Sequence, residues 1–266
     1  MEKDLIRQSN SVTFAKYRMS SWQINCLVNV VDQLQNYIDT DINWGVLKGE
    51  YYAKYFKFDE DYEFPIEIQL SNIEKYEHYG KVRKELLKLM STKVEYDYVN
   101  DNGVISHHFL VPFYHIEVPK NCGSIIIKLP ISSLRWILQW CQNTNLTTFD
   151  KKSILSLKGV YSKRIFQILS SFYRQRIFKM KIEKLSEILV APKYSVQDFE
   201  RFVLIPAYNE MATNQNSRLF FKYKLTTEEK RKGVGRPKRD TVIFKVYDIN
   251  TPGSLEEFRT DNFENE

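Results

Sequence analysis

The chain has 266 residues, of which 43% are hydrophobic, 14% aromatic and 27% charged. Nine Gly and eight Pro exclude a collagen-like or low-complexity chain, and the aromatic content argues against general disorder. At about 100–200 residues per domain, this length predicts two domains, each large enough to bury a core of its own.

The sequence lacks the features of a secreted or membrane-spanning protein. No stretch supplies the roughly 18 uncharged apolar residues that a membrane span needs, and four of the first seven residues are charged, unlike a signal peptide. Cys26, Cys122 and Cys141 are odd in number and far apart, which favours neither a disulfide framework nor a zinc site. We expect a cytoplasmic protein with no metal and no cofactor.

Positive charge is concentrated in the second half of the chain. Residues 1–150 carry 16 Lys and Arg against 19 Asp and Glu, whereas residues 151–250 carry 22 against 9. This asymmetry predicts that the second half binds a polyanion, with nucleic acid as the leading candidate. Residues 251–266 carry one Arg and five acids and are expected to form a disordered acidic tail.

The first domain, predicted as residues 1–148, has the element order of a winged helix. Ser20 and Gln23 fit a capping box before a helix with apolar residues at helical spacing up to Ile38. Strands are predicted at 64–70, 94–98, 104–118 and 124–129, and a further helix begins at Ser132 or Ser133. Between the first two of these strands, a helix is predicted with Val82, Leu86, Leu87 and Met90 on its buried side. Its outer face carries three cations expected to contact DNA, namely Arg83, Lys84 and Lys88.

The second domain, predicted as residues 149–250, repeats that order after a polar run at 142–150. A helix around 161–172 is expected to carry Lys163, Arg164 and Gln167 on its outer face, with the two cations contacting DNA. A short helix at 182–189 ends at Ala191-Pro192-Lys193. A second capping box at 195–198 starts a helix whose buried side is expected to hold Phe199, Phe202, Val203 and Ala207.

The remaining elements of the second domain complete the pattern. Pro206 lacks an N–H and predicts a kink near Phe202, and two strands follow at 218–225 and 241–247. The chain is therefore predicted to have an α+β fold with two tandem winged-helix domains.

Residues 181–211 have the pattern of a helix-turn-helix, whose second helix enters the major groove of DNA N-terminus first. The side chains expected there have hydroxyl, amide and cationic groups that read base edges or hold phosphates, and they are Lys193, Tyr194, Ser195, Gln197 and Arg201. A plain helical hairpin in a core is the alternative. The basic hairpin that follows favours DNA binding.

The loop between the last two strands is strongly basic. Residues 230–239 contain six cations and no acid. Arg236, between Gly235 and Pro237, is expected to enter a narrow A·T-rich minor groove. The flanking phosphates are expected to be held by Lys230, Arg231, Lys232, Lys238 and Arg239. A floppy basic loop that acts by charge alone is the alternative.

Catalysis finds little support in the sequence. His107 and His108 are adjacent on a strand and point to opposite faces, so they do not share a metal. Tyr51 and Lys54 match the tyrosine–lysine spacing of rolling-circle nicking enzymes, but the metal-binding histidine pair of those enzymes is missing. We therefore predict that the chain is not an enzyme.

Four segments resemble the theta-type plasmid replication initiators, the Rep family that binds iterons through tandem winged helices. Residues 5–10 resemble the family's opening segment, and residues 157–169 its most characteristic helix, with Tyr161 and Arg164 at the key places. Residues 199–210, with the Pro-Ala pair and Glu210, resemble the recognition helix, and residues 242–246 the last strand.

This resemblance implies a function that the residues alone do not give. It implies a protein that binds direct repeats at a plasmid origin in double-stranded DNA, helps to open an adjacent A·T-rich stretch and recruits the host replication initiator and helicase. It also implies a homodimer in equilibrium with the monomer, with the first domain dimerising and the dimer repressing its own gene. A dimeric repressor without an initiator role and a rolling-circle nickase stay as alternatives.

Overall fold

The structure is a computed structural model that describes residues 5–38, 63–99, 104–119, 123–137, 146–227 and 239–263. The chain divides into two compact units, Met1–Lys151 and Lys152–Glu266. In those described ranges, no helix is long and apolar enough to cross a membrane.

The first unit combines helices with three small antiparallel sheets. Its helices are α1 (Asn10–Thr13), α2 (Ser21–Ile38), α3 (Tyr79–Leu87) and α4 (Ile131–Ile137). Its strands are β1 (Leu5–Gln8), β2 (Lys16–Tyr17), β3 (Glu63–Gln69), β4 (Val94–Val99), β5 (Ile105–Leu110), β6 (His115–Glu117), β7 (Ser124–Pro130) and β8 (Thr147–Asp150). The strands pair in the orders β1-β8, β2-β4-β5 and β3-β7-β6.

The start of α2 confirms the predicted capping box. The Ser20 backbone N–H donates to Gln23 Oε1 at 2.8 Å, and the Gln23 N–H donates to Ser20 Oγ at 3.4 Å. These bonds satisfy donors that the first turn of a helix leaves without partners. The apolar face of α2 is buried, and it packs against α3, β1 and β3.

Two expectations for the first unit are wrong in detail. On α3 and the turn that follows, Leu87 and Met90 are exposed, and Leu89 is buried in their place beside Val82 and Leu86. Val82, Leu86 and Leu89 are spaced i, i+4 and i+7, which is one face of a helix, and Leu87 and Met90 fall outside that face. Residues 147–150, at the end of the polar run, form β8, which pairs antiparallel with β1.

The second unit has the element order of a winged helix. Its helices are α5 (Lys151–Ser156), α6 (Val160–Phe172), α7 (Ile182–Ile188), α8 (Val196–Phe199), a π-helical segment (Glu200–Leu204), α9 (Ile205–Thr213) and α10 (Ser254–Thr260). Its strands are β9 (Ile177–Lys181), β10 (Leu219–Thr226) and β11 (Thr241–Asp248), paired antiparallel in the order β10-β11-β9. The sequence pattern had predicted β10 and β11 but not β9.

One face of this three-stranded sheet builds the core of the second unit. Phe178, Phe221 and Phe244 come from the three strands. The centroid of the Phe244 ring lies 5.1 Å from that of Phe178 and 5.7 Å from that of Phe221. The register pairs Phe178 with Phe244, so these side chains share the buried face. Alternate residues of each strand therefore point to the opposite, outer face of the sheet.

Residues 196–213 form one continuous helix with a π-helical turn in its middle. Ser195 caps it, since Ser195 Oγ accepts a hydrogen bond from the Asp198 N–H at 3.1 Å. The π segment immediately precedes Pro206, as expected where proline removes a donor and crowds the carbonyl of Phe202. Phe202 lies in this turn and is 47% exposed, so its predicted burial is wrong.

The acidic tail is ordered where the structure describes it. Residues 254–260 form α10, and Phe263 is buried. Phe258 contacts the rings of Phe220 at 5.4 Å and Tyr247 at 5.3 Å. The expectation of a disordered tail is therefore wrong for residues 251–263, because two aromatic side chains anchor the segment to the sheet.

Candidate nucleic-acid interface

A tight turn joins α7 to helix 196–213 and sets their crossing. The Ala191 N–H donates to the Ser186 carbonyl and the Val190 N–H to the Glu187 carbonyl, both at 3.0 Å. This is the Schellman pattern that closes a helix C-terminus, and it places Val190 in the left-handed region at φ 48°. The Pro192 carbonyl then accepts from the Tyr194 N–H at 2.7 Å, turning the chain into the Ser195 cap.

The entrance to helix 196–213 carries the side chains that the sequence had singled out. Lys193 and Ser195 are exposed, and Tyr194 is half-buried, with its ring 5.6 Å from that of Phe202. Gln197 and Arg201 are exposed, one turn apart on the outer side of the helix. The structure thus brings these five residues to one end of one helix.

The outer face of the same helix also carries apolar groups that sequence reasoning missed. Phe202 is 47% exposed and Ile205 is 41% exposed. The Arg201 guanidinium carbon lies 5.3 Å from the centroid of the Phe202 ring. Phe202 lies in the π turn, and a plain helical periodicity contains no signal of that turn.

This combination of groups suits the major groove of duplex DNA. Amide and guanidinium groups hydrogen-bond to base edges, and apolar side chains contact the thymine methyl group. The positive end of the helix dipole lies at the Ser195 cap, where it favours phosphate. The arrangement therefore has what a sequence-reading helix needs.

Helix 196–213 is held in the unit by a carboxylate clamp. Glu210 accepts hydrogen bonds from the backbone N–H groups of Lys158 and Gly159, the latter at 3.0 Å from Oε2. These N–H groups lie at the start of α6, where an anion is favourable. A Cβ on Gly159 would lie 2.7 Å from Glu210 Oε2, so glycine permits this close approach.

The predicted outer position of Lys163, Arg164 and Gln167 is wrong, because all three are buried. Lys163 Nζ donates to the Ile154 carbonyl at 2.7 Å, and Arg164 Nη1 donates to Gln167 Oε1 at 3.0 Å. Polar groups of this kind are tolerated in a core when hydrogen bonds replace those to water. The two cations therefore have no surface from which to contact DNA in this structure.

The cations of the first unit fall into two groups. Lys84 and Lys88 are exposed, whereas Arg83 is half-buried. Lys88 forms an ion pair with Glu85 on the same helical turn. Their contact with DNA stays a prediction.

Most of the basic loop lies outside the described residues, including Lys230, Arg231, Lys232, Arg236 and Lys238. Arg239 is described and exposed. The Asp240 N–H donates to the Thr226 carbonyl at 3.0 Å, and this hydrogen bond joins the two strands at the base of the loop. The predicted minor-groove contact stays a prediction.

The titratable groups of the described residues form no cluster suited to a metal ion. In the ranges that the structure describes, no group of three or more His, Cys, Asp and Glu side chains is arranged to hold a metal ion. His107 Nδ1 lies 2.6 Å from Asp97 Oδ1, and His108 stacks on Tyr96 at 5.2 Å, so the two histidines have separate partners. Tyr51 and Lys54 lie outside the described residues.

The chain is similar to two solved structures. The chain is similar to the Pi initiator protein, crystallised in complex with iteron DNA, at 15% identity and a TM-score of 0.60, covering 94% of this chain and 100% of that one. It is also similar to domains 2 and 3 of RctB, at 13% identity and a TM-score of 0.38, covering 68% of this chain and 74% of that one. No curated protein matches the chain.

The match to Pi confirms the α+β fold with tandem winged helices. The model of the protein family described as "Initiator Replication protein, WH1" matches residues 5–170, which are more than half of the chain. The chain therefore belongs to this family of replication initiators, as the resemblance to the theta-type plasmid initiators predicted.

Proposed function

We propose that the protein starts plasmid replication by binding direct repeats in duplex DNA at the origin through helix 196–213. The observation that carries this proposal is the outer face of that helix, where Gln197 and Arg201 are exposed beside Phe202. Family membership as a replication initiator supplies the biological setting. The Pi protein, which shares the fold, was crystallised with iteron DNA, and this supports repeats of that kind as the target.

Further steps of the proposal rest on the resemblance to the initiator family. Bound monomers help to open an A·T-rich stretch and bring in the host initiator and helicase, and a homodimer represses the protein's own gene. The basic loop adds minor-groove and phosphate contacts through Arg236 and its neighbours. The protein acts by binding, without a catalytic step of its own.

Duplex binding with matched variants tests the reading role of the helix. The probes are tandem repeats of about two helical turns flanking the gene and the same bases in scrambled order. Gln197→Ala is expected to cost about 1–3 kcal/mol on the repeats and little on scrambled DNA, because a base contact is lost. Gln175→Ala is the control, since Gln175 is exposed in the same unit but lies outside the helix-turn-helix.

Three outcomes would contradict the proposal. Wild-type protein that binds repeats and scrambled DNA equally well would exclude sequence reading. Equal losses for Gln197→Ala on both probes would move the reading role away from this helix face. A preference for a single inverted repeat over tandem repeats would favour the repressor alternative.

A further inference from the structure

The outer face of the sheet in the second unit is rich in lysine. The register pairs Lys222 with Lys245, and on the next row of that face it pairs Lys224 with Ile243 and Ile243 with Lys179. Lys181 follows on the row beyond, opposite Thr241. Directly paired residues share a face, so five lysines from three strands lie on one surface.

The acidic C-terminal segment, residues 254–263, covers part of this lysine face. Lys245 Nζ pairs with the Asp261 carboxylate and lies 3.1 Å from Glu257 Oε1. Lys222 Nζ donates to the Asp261 carbonyl, and Lys224 Nζ lies 4.8 Å from the centroid of the Phe263 ring. The three contacted lysines are half-buried, whereas Lys179 and Lys181 are exposed.

The electrostatics of the contact favour charge neutralisation. Like charges directly opposite on neighbouring strands, as in the Lys222–Lys245 pair, repel each other. Hydrogen bonds hold the pKa of Asp261 below its usual value, and the bond from Lys245 contributes more than the bond from Tyr247. This carboxylate therefore stays ionised beside them. The segment thus offers the lysines the kind of anionic oxygen that a DNA phosphate would offer.

The lysine face lies opposite the face of the sheet on which α9 packs. Phe221 and Phe244, on the opposite face, form the core, and Phe221 contacts Tyr208 of α9 at 5.8 Å. Gln197 and Arg201 belong to the helix that packs on the opposite face, so a duplex read by them and a duplex on the lysine face would occupy different surfaces. Any DNA bound there is held by its phosphates alone, without sequence reading.

We propose that the C-terminal segment 254–263 is an intramolecular phosphate mimic that occupies the lysine face and keeps it from binding duplex DNA non-specifically. Such a cover raises the ratio of specific to non-specific binding, which determines how well a protein finds few sites among many. The inference rests on the proposed function, because it needs a protein that searches DNA. It assigns a second DNA-binding surface and a role for the acidic segment.

The test compares two single-charge changes in the same segment. Asp261→Asn removes the charge beside Lys245 and keeps an acceptor for Tyr247, whereas Glu256→Gln removes the charge of an exposed residue. On a random 20-bp duplex, Asp261→Asn is expected to bind about tenfold more tightly at about 50 mM salt. The salt dependence is expected to steepen by about one unit, as for one added phosphate contact. Glu256→Gln is expected to match wild type.

Two further variants separate this mechanism from a general loosening of the fold. Lys245→Gln in the Asp261→Asn protein is expected to abolish the gain, because the released lysine is gone. Glu257→Gln, which weakens the contacts with Lys245 and Arg176, is expected to give a gain of the same sign as Asp261→Asn. Affinity for the origin repeats is expected to stay unchanged in all of these proteins.

The outcomes are distinguishable from those of the proposed function. Equal binding of random DNA by Asp261→Asn, Glu256→Gln and wild type would overturn the inference, whatever the repeats show. A gain that persists in the Asp261→Asn, Lys245→Gln double variant would also overturn it. Failure of the proposed function would appear instead as a wild-type protein that does not prefer the repeats.

Discussion

At the scale of single residues, two buried cations on α6 hold the second unit together. Lys163 reaches the Ile154 carbonyl at the end of α5, and Arg164 Nη2 lies 3.5 Å from the Ile188 carbonyl at the end of α7. An unpaired cation in a core is costly, so each of these hydrogen bonds ties α6 to the last turn of a neighbouring helix. Through Arg164, α6 positions the first helix of the helix-turn-helix.

The buried Lys163 ammonium makes stability depend on pH. Burial lowers the pKa of Lys163 from its usual 10.5 to about 7, with Glu210 opposing the shift. Between these two values the unfolded chain binds one more proton than the folded chain, so stability rises with pH above about 7. Relative to Lys163→Met, wild type is expected to gain about 1–2 kcal/mol from pH 7 to 9 in urea unfolding. Parallel pH curves for the two proteins would contradict this.

Gly159 is required by a close approach rather than by its backbone angles. Its φ of −70° suits any residue, but an added Cβ would lie 2.6 Å from Ser162 Oγ and 2.7 Å from Glu210 Oε2. Gly159→Ala is therefore expected to lower the free energy of unfolding by about 1–3 kcal/mol, because the clamp by Glu210 must open. Gly80→Ala is the control, since a Cβ there meets nothing within 4 Å. A loss of the same size in the control would refute the steric argument.

The polar residues of the candidate site were predictable from the sequence, but the apolar ones were not. Lys193, Ser195 and Gln197 follow a Pro break and a cap, which are local signals of where a helix begins. Phe202 lies in a π turn before Pro206. The burial of Arg164 depends on α7, which packs beside it in the folded unit. Neither effect is visible in the spacing of residues along one helix.

At the scale of elements, the turn before helix 196–213 carries strain. Val190 is β-branched and adopts φ 48° at a position where glycine is usual. Val190→Gly is expected to raise the free energy of unfolding by about 0.5–1 kcal/mol, since relief of strain exceeds the entropy cost of glycine. Val160→Gly, at an ordinary position in the first turn of α6, is expected to lower it. Thermal unfolding of both variants checks this. A lower free energy of unfolding in both variants would contradict the argument from strain.

Helix starts and the final hairpin were predictable because their signals are local. The caps at Ser20 and Ser195 and the strands β10 and β11 all agree with the sequence patterns. The pairs β1-β8 and β9-β11 escaped prediction. Leu5 pairs with Asp150, far along the chain, and β9 has only five residues. Such pairings depend on tertiary contacts more than on propensity.

At the scale of the whole molecule, the net charge of +6 conceals opposite balances in the two units. The acidic balance of residues 1–150 and the basic balance of residues 151–250 favour the second unit as the DNA-binding part, and both units contain exposed cations. In the first unit, Lys88 is already paired with Glu85. In the second, Lys193 lies beside the Ser195 cap and Arg239 at the base of the basic loop. Equal charge changes in the two units should therefore differ in their effect on DNA binding.

Salt dependence of repeat binding by the full chain measures this difference. Lys193→Gln with Arg239→Gln is expected to flatten the slope of log affinity against log salt by about two units, because each lost phosphate contact removes about 0.9. Lys84→Gln with Lys88→Gln makes the same change in net charge. It is expected to flatten the slope by less than about one unit, because the Glu85 carboxylate already competes for Lys88. Equal flattening by the two double variants would mean that DNA binding depends on the total charge of the protein. It would contradict the prediction that the second unit is the principal DNA-binding surface.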